Sequence, residues 1–177
     1  TGLLTIIAVT DESGKTHKYI ALFTDITSLR KQQEKLEHIT NFDVLTDLPN
    51  RLLLSDRLRQ AMHMSKRNGK DLALLYLDLD GFKQVNDEYG HEVGDALLVG
   101  LSQRMQSALR EVDTLARMGG DEFVAVLVDI DGARELGCLV GRILKACSDP
   151  ITIGDHVIQV SASIGVTLFP NDDVDED

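Results

Sequence analysis

The alternation of apolar and polar positions changes character twice along the chain. Residues 3–9 (LLTIIAV) and 17–25 (HKYIALFTD) are apolar and rich in β-formers, separated by the polar segment Asp11-Glu12-Ser13-Gly14-Lys15. That pattern predicts a β-hairpin. A lone hairpin is marginal in water, so its strands are expected to belong to a larger sheet. From Ile26 to Thr40 the chain turns to Gln, Glu, Lys and Leu with no Gly or Pro, which predicts a helix. Ile26, Leu29, Gln33, Leu36 and Thr40 fall on a and d positions of two short heptads. Two of those positions are polar, so the pattern fits a short coiled coil and a solvated connecting helix alike.

The third stretch interleaves helices and strands. Leu48-Pro49-Asn50 breaks the first helix, and a second is predicted from about 51 to 68, with Gly69 as its stop. Residues 72–79 (LALLYLDL) form a continuous apolar run, as expected of a strand buried on both faces. Val93, Leu97, Leu98, Leu101, Met105, Ala108 and Leu109 recur at helical spacing over 92–110. A short strand at 114–118, a Gly-Gly turn and a strand at 123–128 follow. A helix at 131–148 and strands near 157–161 and 163–169 complete the pattern, which predicts an α+β domain with a mixed sheet.

Composition narrows the function classes. The 177 residues are 43% hydrophobic and 27% charged, in the range of a folded globular chain. No apolar run approaches the roughly 20 residues of a membrane helix, so no membrane contact is expected from this chain. The formal charge is −11, but Asp172, Asp173, Asp175, Glu176 and Asp177 crowd the end, and residues 1–170 carry only −6. An acidic balance argues against nucleic acid as a partner, because its backbone selects Lys and Arg. Cys138 and Cys147 form no CxxC pair, and are expected to be two small buried hydrophobes in a reducing cytoplasm.

Three segments carry candidate chemistry. In Arg117-Met118-Gly119-Gly120-Asp121-Glu122-Phe123, two glycines allow positive φ and leave room for another molecule at the backbone. Two acids follow at the start of an apolar strand. In Asp78-Leu79-Asp80-Gly81-Phe82-Lys83, an acid ends an apolar strand ahead of a glycine turn and a lysine, which suits a hard cation and phosphate. If the two strands are neighbours, Asp78 and Asp121 share a cation; Asp80 and Gly81 are read as the start of the next helix. In the third segment, Asn86 and Asp95 bracket a glycine-containing turn around His91. A carboxylate and an amide together can read the N1–H and exocyclic amine of guanine, and such a site discriminates strongly. Helix capping accounts for His91 and Asp95 equally simply.

These residues carry a resemblance. GGDEF (119–123), with DVLTDLPNR (43–51), LDLDGFKQVND (77–87), YGHEVGD (89–95) and SIGVTLF (163–169), resembles the GGDEF domain family of diguanylate cyclases across more than 120 residues. The hairpin and helix, with Asp25-Ile26-Thr27 at their junction, resemble the end of a PAS sensor and its signalling linker. The domain organisation implied is a PAS fragment at 1–25, a linker helix at 26–42 and a GGDEF domain from 43 to 177 that continues beyond this chain. The implied fold is nucleotidyl-cyclase-like, a central mixed five-stranded sheet flanked by helices. The implied reaction joins two GTP molecules into cyclic di-GMP and pyrophosphate, with a second GGDEF domain facing the first in a homodimer.

Carried over by motif position, Asp78, the carbonyl of Leu79, Asp121 and Glu122 hold Mg²⁺ or Mn²⁺. Asp121 and Glu122 are the catalytic pair, and Glu122 is a further metal ligand or accepts the hydroxyl proton. Asn86 and Asp95 contact guanine; Phe82, Lys83 and His91 line the nucleotide, and Gly119 and Gly120 give it room. Arg110-Glu111-Val112-Asp113 stands five residues ahead of Gly119, the register of the family's inhibitory product site for cyclic di-GMP. The other reading is a module that binds GTP or cyclic di-GMP and regulates an attached phosphodiesterase (EAL) or other effector domain.

Overall fold

The computed structural model describes residues 2–10 and 16–170. The predicted turn at 11–15 and the acidic end at 172–177 lie outside the described residues. The chain divides into two compact units, Thr1–Thr40 and Asn41–Asp177. In the first, β1 (Gly2–Thr10) and β2 (Thr16–Asp25) pair antiparallel, from Gly2 opposite Asp25 to Thr10 opposite Thr16. Both faces of the hairpin expose apolar side chains, among them Ile6, Ile7, Leu22 and Phe23. Helix α1 (Thr27–Asn41) follows, and the Asp25 carboxylate accepts from the Thr27 backbone N–H at 2.9 Å, as an N-terminal cap does. Leu29 and Leu36 of the heptad pattern are exposed.

The second unit starts with α2 (Arg51–Asn68), which ends at the predicted Gly69 and is capped at its start by Asn50. The Asn50 side chain accepts from the N–H groups of Leu52 and Leu53, and Gly69 ends the helix at φ 64°. Then come β3 (Asp71–Asp80), α3 (Phe82–Tyr89), α4 (His91–Ala108), β4 (Thr114–Gly119), β5 (Glu122–Ile130) and α5 (Ala133–Ser148). The short strands β6 (Ile151–Ile153) and β7 (His156–Ile158) precede β8 (Ser161–Phe169).

The α+β architecture agrees with the sequence pattern, but the sheet is neither mixed nor five-stranded among the described residues. Its order is β4-β5-β3-β8, and every neighbouring pair is antiparallel. The physical reason lies in the insertions. The α3–α4 crossover joins two parallel strands, β3 and β4, but β5 inserts between them. Likewise α5 leads from β5 towards β8, and β3 lies between those two. The strand expected near 157–161 is shorter than predicted: β7 pairs only with β6, a three-residue strand that the pattern did not reveal.

Two cores flank this sheet. Leu75, Leu77, Leu79, Phe123, Ala125 and Leu127 point to one face and pack with α3, α4 and α5. Leu72, Ala116, Val124, Val126 and Phe169 point to the other and pack under Leu54 and Met62 of α2. Strand β3 therefore corrects the expectation of two-sided burial. Its first half is covered on both faces, but Tyr76, Asp78 and Asp80 alternate outward beyond the reach of α2. The uncovered end of the sheet is thus acidic. Cys147 is buried, and burial pushes its thiol up to about 11, whereas Cys138 is exposed, contrary to expectation.

Candidate active site

The acids expected to act together do converge. In the β3–β5 ladder Asp78 stands directly opposite Glu122, and the Leu79 N–H donates to the Asp121 carbonyl at 3.3 Å. The β4–β5 turn, with Gly119 at φ 142° and Gly120 at φ 55°, brings Asp121 to this corner. An L side chain rarely adopts either angle, so two glycines make the tight reversal possible. Desolvation and the neighbouring charges of Asp121, Asp80 and Glu122 raise the pKa of Asp78 above the usual carboxylate range. The Tyr76 hydroxyl approaches Glu122 at 3.4 Å, and burial followed by the charge of Glu122 raises its pKa as well.

The donor chemistry fits a hard divalent cation: carboxylate oxygens and the carbonyl of Leu79. Electrostatics agrees, because Asp78 faces three like charges that a cation would neutralise. Among the described residues no three histidine, cysteine or carboxylate side chains form a ready-made cage. Completing a coordination sphere therefore requires oxygens from a bound molecule or water.

The residues expected to line a nucleotide divide. Asn86 is half-buried on α3, and its backbone carbonyl accepts from Gly90 at 3.0 Å at the α3–α4 corner. Gly94 of α4 lies directly under its amide, and a Cβ there would collide with Asn86 Oδ1. Asp95 is the next residue and is exposed, as are Lys83 and His91. Phe82 departs from the expectation. Its side chain, at the start of α3, is buried in the core.

Arg110 and Asp113 form a closed knot. Asp113, whose side chain is 0% exposed, accepts from Arg110 Nε at 3.1 Å and Nη2 at 3.2 Å. It also accepts the backbone N–H groups of Arg110 and Val128. The remaining guanidinium donors reach Glu135 at 3.1 Å and the Val128 carbonyl at 2.7 Å. The hydrogen bonds that Arg110 donates to Asp113 hold the guanidinium even higher than its ordinary pKa. A cavity of about 460 Å³ between α2 and β4–β5 reaches Asp113 from its lining of Arg57, Gln60, Met64 and Val112, and includes none of Asp78, Asp121 and Glu122.

Sequence reasoning missed a further pair. Arg117, one residue from the glycine turn, donates to Asp43 at 2.9 Å and twice to the Gly120 carbonyl, at 3.0 and 2.8 Å. Its backbone N–H reaches the Pro49 carbonyl at 3.0 Å. Arg117 thereby clasps the loop ahead of α2 to the turn that carries Asp121. The signal was a charged residue in a short, mostly buried strand, which needs a partner somewhere.

The comparisons with known proteins agree with this geometry. Residues 40–177 match the family described as "Diguanylate cyclase, GGDEF domain". The chain is 44% identical over 146 residues to the bifunctional diguanylate cyclase/cyclic di-GMP phosphodiesterase MucR of Pseudomonas aeruginosa, covering 82% of this chain and 21% of MucR. It is 40% identical over 159 residues to the cyclic di-GMP phosphodiesterase PdeR of Escherichia coli, covering 89% of this chain and 24% of PdeR. Against the GGDEF domain structure of TpbB from Pseudomonas aeruginosa the TM-score is 0.71 at 36% identity, covering 73% of this chain and 76% of the other. The chain thus spans about a quarter or less of the length of both full-length relatives. Motifs, fold and acid corner converge on one conclusion: this chain belongs to the GGDEF domain family.

Proposed function

We propose that the chain is the catalytic part of a diguanylate cyclase, which condenses two GTP into cyclic di-GMP with release of two pyrophosphates. One observation carries the reading. Asp78, Asp121 and Glu122 are gathered at the uncovered end of the sheet, beside a turn whose glycines admit a nucleotide. In each half-reaction the 3′-oxygen of one GTP forms a bond to the α-phosphorus of the other. The bond to pyrophosphate breaks, and the hydroxyl proton passes to a carboxylate, here Glu122. Because each GTP attacks the other, two GGDEF domains face each other in a homodimer.

Asp78, the Leu79 carbonyl, Asp121 and Glu122 would hold Mg²⁺ or Mn²⁺. The ion would neutralise phosphate charge and stabilise the oxygens of an in-line displacement. Asn86, backed by Gly94, and Asp95 read guanine, while Lys83 and His91 line the nucleotide. Arg110 and Asp113 bind the product, cyclic di-GMP replacing Glu135 at the outer edge of the guanidinium. We read residues 1–25 as the end of a PAS sensor and 26–42 as the linker that brings two domains together in the cytoplasm.

Incubation of the parent protein with GTP and Mg²⁺ yields cyclic di-GMP on this reading, and Asp121→Asn abolishes it. Turnover that survives the substitution refutes the role of Asp121. A second reading rests on the names of the relatives, one bifunctional and one a phosphodiesterase. In it the domain binds GTP or cyclic di-GMP and regulates an attached EAL domain. Nucleotide binding without cyclic di-GMP synthesis by the wild-type parent protein would select it.

A further inference from the structure

Asp80, expected to begin the next helix, is instead the last residue of β3, and its surroundings are specific. It lies two residues beyond Asp78 on the same outward face of β3, about 7 Å further along the strand. Strand β8 presents two hydroxyls to this end of β3, Ser161 opposite Asp80 and Ser163 opposite Asp78. Both turn to Asp80. Ser161 Oγ donates to one carboxylate oxygen at 2.8 Å and Ser163 Oγ to the other at 2.9 Å. The cross-strand neighbour of Asp78 therefore serves the next acid along. Asp78 is left without a side-chain donor among the described residues.

This division separates two roles that carboxylates play near a cation. A ligand needs oxygen lone pairs aimed at the ion within bonding distance. A neighbouring charge needs only to stay close, since Coulomb attraction falls off slowly with distance. Asp80 has each oxygen engaged by a hydroxyl and its side chain pinned to β8, so it suits the second role. Asp78 and Glu122, opposite one another, suit the first.

We propose that Asp80, clamped by Ser161 and Ser163, is a positioning residue: a fixed negative charge that raises the divalent-cation affinity of the Asp78 site without ligating the ion. The inference rests on the cation assignment in the proposed function. Removing the charge weakens cation binding about three- to tenfold at low ionic strength. The loss shrinks as salt screens the interaction.

The test is a titration of the chain with Mn²⁺, free ion being read from its electron paramagnetic resonance signal. Wild type, Asp80→Asn and Asp78→Asn are compared at low and high KCl, and thermal midpoints verify that each is folded. Asp80→Ser, which removes the charge and keeps a hydroxyl for β8, serves should the amide distort the strand pair. Weaker binding by Asp80→Asn that converges with wild type at high KCl supports the inference. Unchanged binding by Asp80→Asn with a clear loss in Asp78→Asn overturns it and leaves the cation site standing. A loss in Asp80→Asn that salt does not reduce marks ligation or distortion and overturns it too. Unchanged binding by Asp78→Asn removes the cation site itself, and the proposed function with it.

Discussion

Two charged corners of the same domain, less than 40 residues apart in sequence, solve opposite problems. At the end of β3 and the start of β5, Asp78 faces Asp121, Asp80 and Glu122, and its raised pKa records desolvation and this like charge. Beyond the end of α4, Arg110 and Asp113 satisfy one another, and Glu135 and the Val128 backbone take the remaining bonds. A charge cluster that lacks a partner costs stability and makes sense where a ligand supplies the partner. A cluster that is closed on itself contributes to the fold first, and a ligand has to displace something to enter. On the proposed function, a ligand therefore completes the acid corner, whereas the Arg110 knot is structure that a product has to open.

The substitution that separates the two corners most widely is Asp78→Asn. On the proposed function it lowers cyclic di-GMP synthesis by about a thousandfold or more, as loss of a metal ligand does. The same change leaves the metal-free domain as stable as before, or up to about 2 °C more so. The sign follows from the raised pKa: the folded state binds the proton more tightly than the unfolded chain, so ionised Asp78 opposes folding at neutral pH. Parallel assays of turnover and thermal midpoint in EDTA check both. A midpoint several degrees lower would make the acid corner structural and erase the contrast.

Asp113→Ala is the mirror experiment. It removes a buried carboxylate that accepts from the Val128 N–H and from two guanidinium nitrogens of Arg110, which then keeps Glu135 and the Val128 carbonyl. Breaking such a pair costs about 3 kcal/mol, so urea denaturation should show a clear loss with little change in m. Stability within about 0.5 kcal/mol of wild type would show that the knot is not load-sharing, and would favour a purely ligand-binding role.

How much of this was legible in the sequence depends on how local the signal is. The break at Leu48-Pro49-Asn50 and the stop at Gly69 marked both ends of α2 because such signals act within a few residues. The acids of the β3 end could be read because an apolar run that ends in Asp78 has a physical meaning without any partner. Pairings across the chain were not legible in the same way. Arg117 finds Asp43 across 74 positions, and Arg110 finds Glu135 across 25. No periodicity links such positions. The purely antiparallel pairing was not legible for a related reason: a parallel crossover says which strands run the same way, but not that a third strand lies between them. Phe82 was placed by motif position alone, and the sequence did not reveal that its side chain packs in the core.

Gly94→Ala tests the nucleotide side with a smaller effect. The added methyl meets the Asn86 amide oxygen, so either Asn86 rotates away or α3 and α4 separate. The KM for GTP should rise about tenfold with kcat changed less, since ground-state recognition of the base is what suffers. A proportional fall in kcat with KM unchanged would place the effect at the acid corner.

The smallest predicted effect concerns the clasp between the two ends of the domain's motif set. Burial works to raise the pKa of Asp43, but hydrogen bonds from Thr46 and Arg117 and the Arg117 charge outweigh it and leave the group low. A carboxylate whose folded pKa is depressed contributes stability above its unfolded pKa near 4, and loses that contribution as pH falls through the folded value. Arg117→Gln removes the cation and weakens the two bonds to the Gly120 carbonyl, at a cost of about 1–2 kcal/mol at neutral pH. Only the Asp43 share of that cost depends on pH, so the gap between wild type and variant should narrow below about pH 4 and not close. Thermal midpoints measured from neutral pH to pH 3 trace the gap. A gap that stays constant would assign the whole contribution to the Gly120 bonds. Arg117 would then serve the glycine turn alone, without tying the loop ahead of α2 to it.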